Sequence, residues 1–532
     1  MRFPLIFALF CVFLSGCAQA PREAGVLRLA QESDASTLDP ARAYDTTSIQ
    51  FVRLIYRGLV DYDEKANIVN EIAEKREVSS DGKTYTFWLR KGVRFHNGAP
   101  VRAADFRFAL ERVLDPATAS DGLSLFTMID GATEWTKDRE GSKKLAHIRG
   151  ITVEGDHKIT FRLARADATF LNYLTLPFAY AVSEDWVKRV GSKALSENPN
   201  GCGPFKMTEW VHDGWLTLDK NPDYFRPEIP KAKRIEARFG VSASLQTMLY
   251  EQGAIDILGI SDAFAPDFRR LSSEEPWKEQ VLHAPMMDVR YLCINNEKKP
   301  FTDVRVRQAV NYAIDRDRIV GFLTGRATKA RGALPPGMPA FNPKLFQYGY
   351  DPEKARQLLR EAGWKPNSGT PIPLLYATNE QWYGKAAQSI KEDLKRVGIT
   401  ISLVPMRYGD LKAQAGQRGK SSLALMGWLQ DFPDPANFLD VLFNAKSISE
   451  TASVNRAFYS NPRVTKLLDA AGIETDRAKR LQMYQEIEKI VVADAPWVFL
   501  HHTERYVVRQ PWVKGFNLHP MWSATYEKVG VE

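Results

Sequence analysis

The sequence predicts an α/β fold built from more than one lobe, and three observations carry that reading. Strand patterns crowd the first part of the chain. Helix and strand patterns alternate through the C-terminal half, with glycine closing the helices. No internal repeat, low-complexity tract or flexible linker separates the segments, so the lobes are expected to be wired together by several chain crossings. At 532 residues the chain has length for two or three cores, and 44% hydrophobic with 26% charged residues is ordinary for a soluble globular protein. The formal charge of +8 is spread along the chain without a long Lys/Arg block, which gives no basis for nucleic-acid binding.

Taken in order, the elements begin with Arg2 and an apolar run from Phe3 to Leu14, too short to span a bilayer comfortably. It ends in Leu14-Ser15-Gly16-Cys17, which resembles a bacterial lipoprotein lipobox. The resemblance implies a signal peptide over residues 1–16, cleavage before Cys17 and lipid on its thiol; ordinary cleavage after Ala20 is the plainer alternative. Ala18 leaves inner- or outer-membrane sorting open. Export would leave Cys202 and Cys293, which either pair in an oxidising compartment or stay buried and free.

Val26–Ala30 (VLRLA) reads as a strand, as does Lys83–Leu89 after the turn at Asp81-Gly82. A helix is predicted from about Arg102 to Leu114, with Phe106, Ala109, Leu110 and Val113 on one stripe and Asp115-Pro116 ending it. Further on, Asp351 caps a helix that has Pro352 at its first position, Ala355, Leu358, Leu359 and Ala362 on its buried face, and Gly363 after it. A second helix carries Ala387, Ile390, Leu394 and Val397 and closes at Gly398. A strand follows over 399–404, another lies near Leu423–Met426, and long helices cover Val464–Ala471 and Asp476–Val492.

Enzyme templates are missing: there is no His-Glu-x-x-His helix, no Gly-x-Ser-x-Gly elbow and no Cys-x-x-Cys. Gly419-Lys420-Ser421 resembles the end of a phosphate loop, but Gln414 stands where its first glycine belongs. His96 reads as a turn residue. His501 and His502 are adjacent in a strand and point to opposite faces, so one is expected at a cleft and the other in core or solvent. No metal or cofactor is expected.

Several segments together resemble the extracytoplasmic solute-binding proteins of the oligopeptide/dipeptide/nickel family (family 5). They are Thr37-Leu38-Asp39-Pro40, GKTYTFWLRKGVRFHNGAPVRAADFRFALERVLDP at 82–116, NPNGCGPFKMTEW at 198–210 and NPDYF at 221–225. INNEKKPFTDVRVRQAVNYAIDR at 294–316, DPEKARQLLREAGW at 351–364 and GWLQDFPDPANFL at 427–439 complete the series, in family order. The resemblance implies a three-lobed periplasmic-binding-protein-like α/β fold of type II, with two lobes closing on a cleft. Domain I would comprise 17–46, 165–289 and 503–532, domain II 47–164 and domain III 290–502, with two strand crossovers as the hinge. It also implies a monomeric, lipid-anchored periplasmic component of an ABC importer, working with permease and ATPase subunits and performing no covalent chemistry. A peptide is the expected ligand; a nickel chelate, haem, an oligosaccharide or an opine-like molecule is the alternative, and a ligand-presenting sensor a further one. A surface hydrolase would need an activated nucleophile or a metal.

By the same resemblance, backbone at Ala43-Tyr44-Asp45, around Tyr291 and at Ala424–Gly427 would meet an extended peptide. Trp428 would wall a pocket, and His501 or His502 would stand near the ligand. Leu425 occupies the position where some tripeptide-binding relatives hold the ligand carboxylate with Arg, which leaves that end without a named partner. Two acids remain in the 427–439 segment. Asp434, followed by Pro435, reads as a helix cap, whereas Asp431 has no such duty and stands where peptide-binding relatives hold the α-ammonium.

Overall fold

The computed structural model describes residues 22–532 apart from 262–264, 367–369 and 379–380; the leader and Cys17 therefore lie outside the described residues. Most expected elements are present within a residue or two. Strands run Val26–Ala30 and Thr84–Leu89, helices Ala103–Val113, Pro352–Glu361 and Gln381–Arg396, and strands Ile401–Met406 and Leu423–Leu429. The capping chemistry is as read: Asp351 accepts the Lys354 amide, and Gly363 and Gly398 take positive φ just past their helices.

Four hydrophobic cores organise these elements among the described residues, the smallest of them around Tyr250, Leu258, Leu271 and Val508. In the first, Val26–Ala30 pairs in parallel with Arg234–Arg238, which continues antiparallel through Trp215–Lys220 to Phe205–Val211. The helix Thr46–Ile55 packs on this sheet through Phe51, Val52 and Ile55. A second core sits under the antiparallel sheet of Ala73–Val78, Thr84–Leu89, Lys158–Arg162 and Ile151–Glu154, covered by Ala103–Val113. The third and largest surrounds a mixed sheet in which Asp288–Ile294 lies between Leu423–Leu429 and Trp497–Arg509.

Trp497–Arg509 ties the molecule together. Its 13 residues pair with Asp288–Ile294 and Ala327–Lys329 near one end, and with Ile257–Gly259 and Val281–Pro285 near the other. Motif residues hold the cores in register. Asp39 takes two hydrogen bonds from Arg112, at 3.0 and 2.6 Å, both groups buried. Gly201 and Gly203 press against the C-terminal end of Thr46–Ile55, where a Cβ would collide with the Ile55 and Leu54 carbonyls. Their approach lets the Gly203 amide donate to Ile55 O at 2.8 Å.

Of the two alternatives for Cys202 and Cys293, the structure has the second. Both thiols are free and buried, Cys202 in the core of the second sheet and Cys293 in that of the third, and burial pushes both up to about 12. No described helix is long and apolar enough to cross a membrane.

Candidate functional site

A cavity of about 600 Å³ opens where the first and third cores face each other. Residues from distant parts of the chain line it, among them Tyr44, Gln50, Phe178, Met286, Met287, Leu429, Gln430, Asp431, Arg505 and Trp522. The walls join apolar and methionine side chains to a few polar groups, the usual composition of a small-molecule site.

Asp431 is placed by the strand that precedes it. Leu423–Leu429 pairs along its length with Asp288–Ile294, and the next residue, Gln430, still donates its amide to Met287 O at 3.1 Å. Asn437, buried in the helix Ala436–Phe443, then fixes the carboxylate. Its Nδ2 donates to Asp431 Oδ2 at 3.0 Å, and its Oδ1 accepts the Asp431 amide at 2.9 Å and Trp428 Nε1 at 3.3 Å. From the other wall, the Tyr44 hydroxyl donates to Asp431 Oδ1 at 2.9 Å. Burial pushes the carboxyl above the usual range, and the hydrogen bonds from Asn437 and Tyr44 draw it partly back. Among the described residues, no cation is among the groups that act on it. Two further polar atoms in the lining, Gln50 Nε2 and Gln430 Oε1, are buried without a hydrogen-bond partner.

The other residues singled out from sequence are distributed differently. Tyr44 is 46% exposed and lies 5.9 Å from the Phe178 ring, in the cavity wall. Ala43 is fully buried with its amide bonded to Asp39 O, and Asp45 caps Thr46–Ile55, accepting the Ser48 amide at 2.8 Å. Neither lines the cavity. Tyr291 is a core residue, 1% exposed and stacked on Trp497, because alternation along its strand turns it away from the cleft. Gly427 makes room for its neighbour: a Cβ there would stand 2.6 Å from Arg290 Nη1. Trp428 packs on the third core and helps Asn437 orient Asp431.

The expectation that one histidine faces the cleft is also corrected. His501 and His502 are each 2% exposed, and neither lines the cavity. His501 meets Trp382 edge-on and His502 Nδ1 sits 2.6 Å from Asp288 O. Burial holds both imidazoles below their usual range. Both were expected on opposite strand faces; here both rings are enclosed, His501 against Trp382 and His502 against the Asp288 carbonyl.

Asp434 has more to do than cap. Its Oδ1 accepts the Ala436 amide at 2.9 Å just ahead of the helix, where Pro435 and not Asp434 holds the cap position, and both oxygens also receive a buried fork from Arg480 at 2.6 and 2.8 Å. Arg480 is 46 residues away in sequence, so nothing local announced it. Asn437 had a readable signal: an Asn set between the apolar residues Ala436, Phe438 and Leu439 of a helix needs a polar partner. Phe178, Met286, Met287, Gln50 and Arg505 carried none, since only the tertiary fold gathers them.

The model of bacterial extracellular solute-binding proteins, family 5, matches residues 67–450. The glutathione-binding protein GsiB of Pectobacterium atrosepticum is 31% identical over 485 residues, covering 90% of this chain and 88% of that protein. Heme-binding protein A of Haemophilus influenzae is 29% identical, covering 92% and 88%. Among solved structures, the periplasmic binding protein DppA from Helicobacter pylori in complex with the peptide STSA superposes with a TM-score of 0.78 at 27% identity, covering 95% of this chain and 98% of that one. The clavulanic acid biosynthesis oligopeptide binding protein 2 gives 0.87 at 25% identity, covering 96% of each chain.

Proposed function

The chain belongs to the family 5 bacterial extracellular solute-binding proteins, and on that premise we propose that it captures peptides in the cleft around Asp431 and delivers them to a membrane permease with its ATPases. The carrying observation is the Asp431 carboxylate, oriented by Asn437 and Tyr44 in the cleft wall with no cation acting on it. An enclosed ammonium loses its water and needs a carboxylate in exchange; a peptide α-ammonium and this acid satisfy each other. Gln50 Nε2 and Gln430 Oε1 offer a donor and an acceptor, which suits a peptide backbone. Relatives named for glutathione and for a bound peptide support the same class.

The heme-binding relative raises a second ligand. His501 and His502 lie off the cavity, and His519, which does line it, has both ring nitrogens engaged, with Asp63 O and with the Met521 and Trp522 amides. That arrangement favours a peptide. The protein would act as a monomer and catalyse no covalent step.

Lobes with the expected boundaries would close on the ligand, pivoting where Trp497–Arg509 crosses residues 502 and 503. Lipid on Cys17 would hold the protein at the membrane on its periplasmic side; Cys17→Ala should then move it to the aqueous phase of a detergent extract.

The deciding experiment is calorimetry of Asp431→Asn and wild type with a free peptide and its N-acetylated form. Asp431→Asn should weaken the free peptide by a few kcal/mol and barely change the acetylated one, which wild type already binds poorly. Equal losses for both peptides would remove Asp431 as the amine site.

A further inference from the structure

The start of the described chain is clamped to the first core. Arg22 lies 2.7 Å from Asp256 Oδ1, and its guanidinium carbon is 4.3 Å from the centre of the Trp512 ring. Asp256 is fully buried and also accepts the Arg28 amide at 2.7 Å and Trp512 Nε1 at 3.0 Å, which makes the clamp part of the packed structure. A little further on, the Gly25 amide donates to Val531 O at 3.0 Å, and the Gly25 carbonyl accepts the Lys233 amide at 2.8 Å. Arg22 follows Cys17 by five positions. An extended chain of that length reaches at most about 18 Å. Lipid on Cys17 would therefore hold this one face close to a bilayer.

That face carries cations without partners. Lys220, Lys231 and Lys233 are exposed, and among the described residues none of the three forms an ion pair with a carboxylate. The backbone gathers them around Gly25. The Lys233 amide donates to Gly25 O and the Lys220 amide to Lys233 O at 2.9 Å, while Lys231 lies beside Gly530, next to the Val531 that receives Gly25. Lys514, also exposed, stands opposite Gly530 in the strand register. Glu23 and Glu532 share the face, Glu532 at 3.8 Å from Lys514, and leave the other three lysines unpaired. The attraction of a lysine to anionic headgroups falls off within a Debye length, about 8 Å at physiological ionic strength. Only lysines set at the base of a short tether can use it.

We infer that the face around Gly25 rests on the bilayer, with Lys220, Lys231, Lys233 and Lys514 meeting anionic phospholipid headgroups. This rests on lipid at Cys17, as proposed above, and adds an orientation to that anchor. The first core is then the part of the protein held at the membrane. Phe516 belongs to that core and lines the cavity, whereas Asp431 follows a strand of the third core. Closure on a ligand therefore moves the Asp431 wall against one that is fixed at the membrane.

The test is lysine acetylation by a membrane-impermeant reagent, read site by site by peptide mapping. The processed protein is bound to the outside of preformed phosphatidylcholine vesicles, with and without phosphatidylglycerol, and Cys17→Ala free in solution is the reference. The same mapping reports lipid on Cys17. With phosphatidylglycerol, Lys220, Lys231, Lys233 and Lys514 should react severalfold more slowly in the anchored protein than in Cys17→Ala. The exposed Lys143 and Lys420 should react at equal rates in both. Protection should shrink on phosphatidylcholine alone and at high salt. In an anchored variant combining Lys220→Glu, Lys231→Glu and Lys233→Glu, all at exposed sites, Lys514 should react as fast as in Cys17→Ala. Protection spread evenly over all lysines, or absent at these four, overturns the orientation and leaves the lysines to an acidic protein surface. Equal protection on both vesicle types overturns the headgroup contact. Cys17 without lipid overturns the anchor and this orientation with it.

Discussion

The Tyr44 hydroxyl donates to Asp431 across 2.9 Å, joining residues 387 positions apart and closing the cleft wall over a carboxylate that no cation among the described residues balances. Burial holds this carboxyl above its usual range. An ammonium ligand favours the ionised form, so binding should release protons at acid pH, and affinity should fall as pH drops through the raised value. Titration calorimetry in buffers of different ionisation enthalpy reads both effects. They should vanish in Asp431→Asn, and the same pH dependence in that variant would point to another group.

Asp434→Ala should destabilise the protein by about 3–5 kcal/mol, more than the roughly 0.5–2 kcal/mol of a lost helix cap, because it strands the buried Arg480 guanidinium. Urea denaturation measures the difference. Pairing it with Arg480→Leu should recover much of the loss, since the orphaned charge goes too. A single-variant cost within the cap range would show that the ion pair contributes little.

Glu488 is 1% exposed and accepts the Leu334 amide at 2.8 Å, and burial pushes its carboxyl up to about 7 from 4.5. A raised acid favours the folded state while protonated. Its contribution is complete below the unfolded value and is lost as pH rises from about 4.5 towards 7, on the order of 3 kcal/mol in all. Glu488→Gln keeps an acceptor for Leu334 and removes the titration. The variant should therefore gain on wild type in melting temperature as pH rises across that window; parallel profiles would exclude Glu488 as the source.

Cys202 and Cys293 should resist alkylation in the folded protein and react fully once it is denatured, since both thiols are buried and held neutral. Peptide mapping after iodoacetamide checks each site separately. Recovery of a Cys202–Cys293 cross-linked peptide would contradict the separate cores.

Much of this architecture was legible because its signals are local. A cap such as Asp351, a stop such as Gly398 and the apolar stripe of Ala103–Val113 act within a few residues, where spacing alone carries the physics. Asp431 stood out in the sequence as the acid that the cap reading of Asp434 left over, whereas its bonds to Asn437 and Tyr44 appear only in the structure. The burial of Tyr291, His501 and His502 was not, because a strand's alternation separates two faces without saying what covers each. The Arg480 fork on Asp434 and the Tyr44 bond to Asp431 join residues far apart in sequence. The sequence by itself determined the elements and the caps and glycine stops that bound them. Only the tertiary structure decided which side chains share the cleft, since that depends on sheet register and on the packing of separate cores, and neither is written in any single stretch of chain.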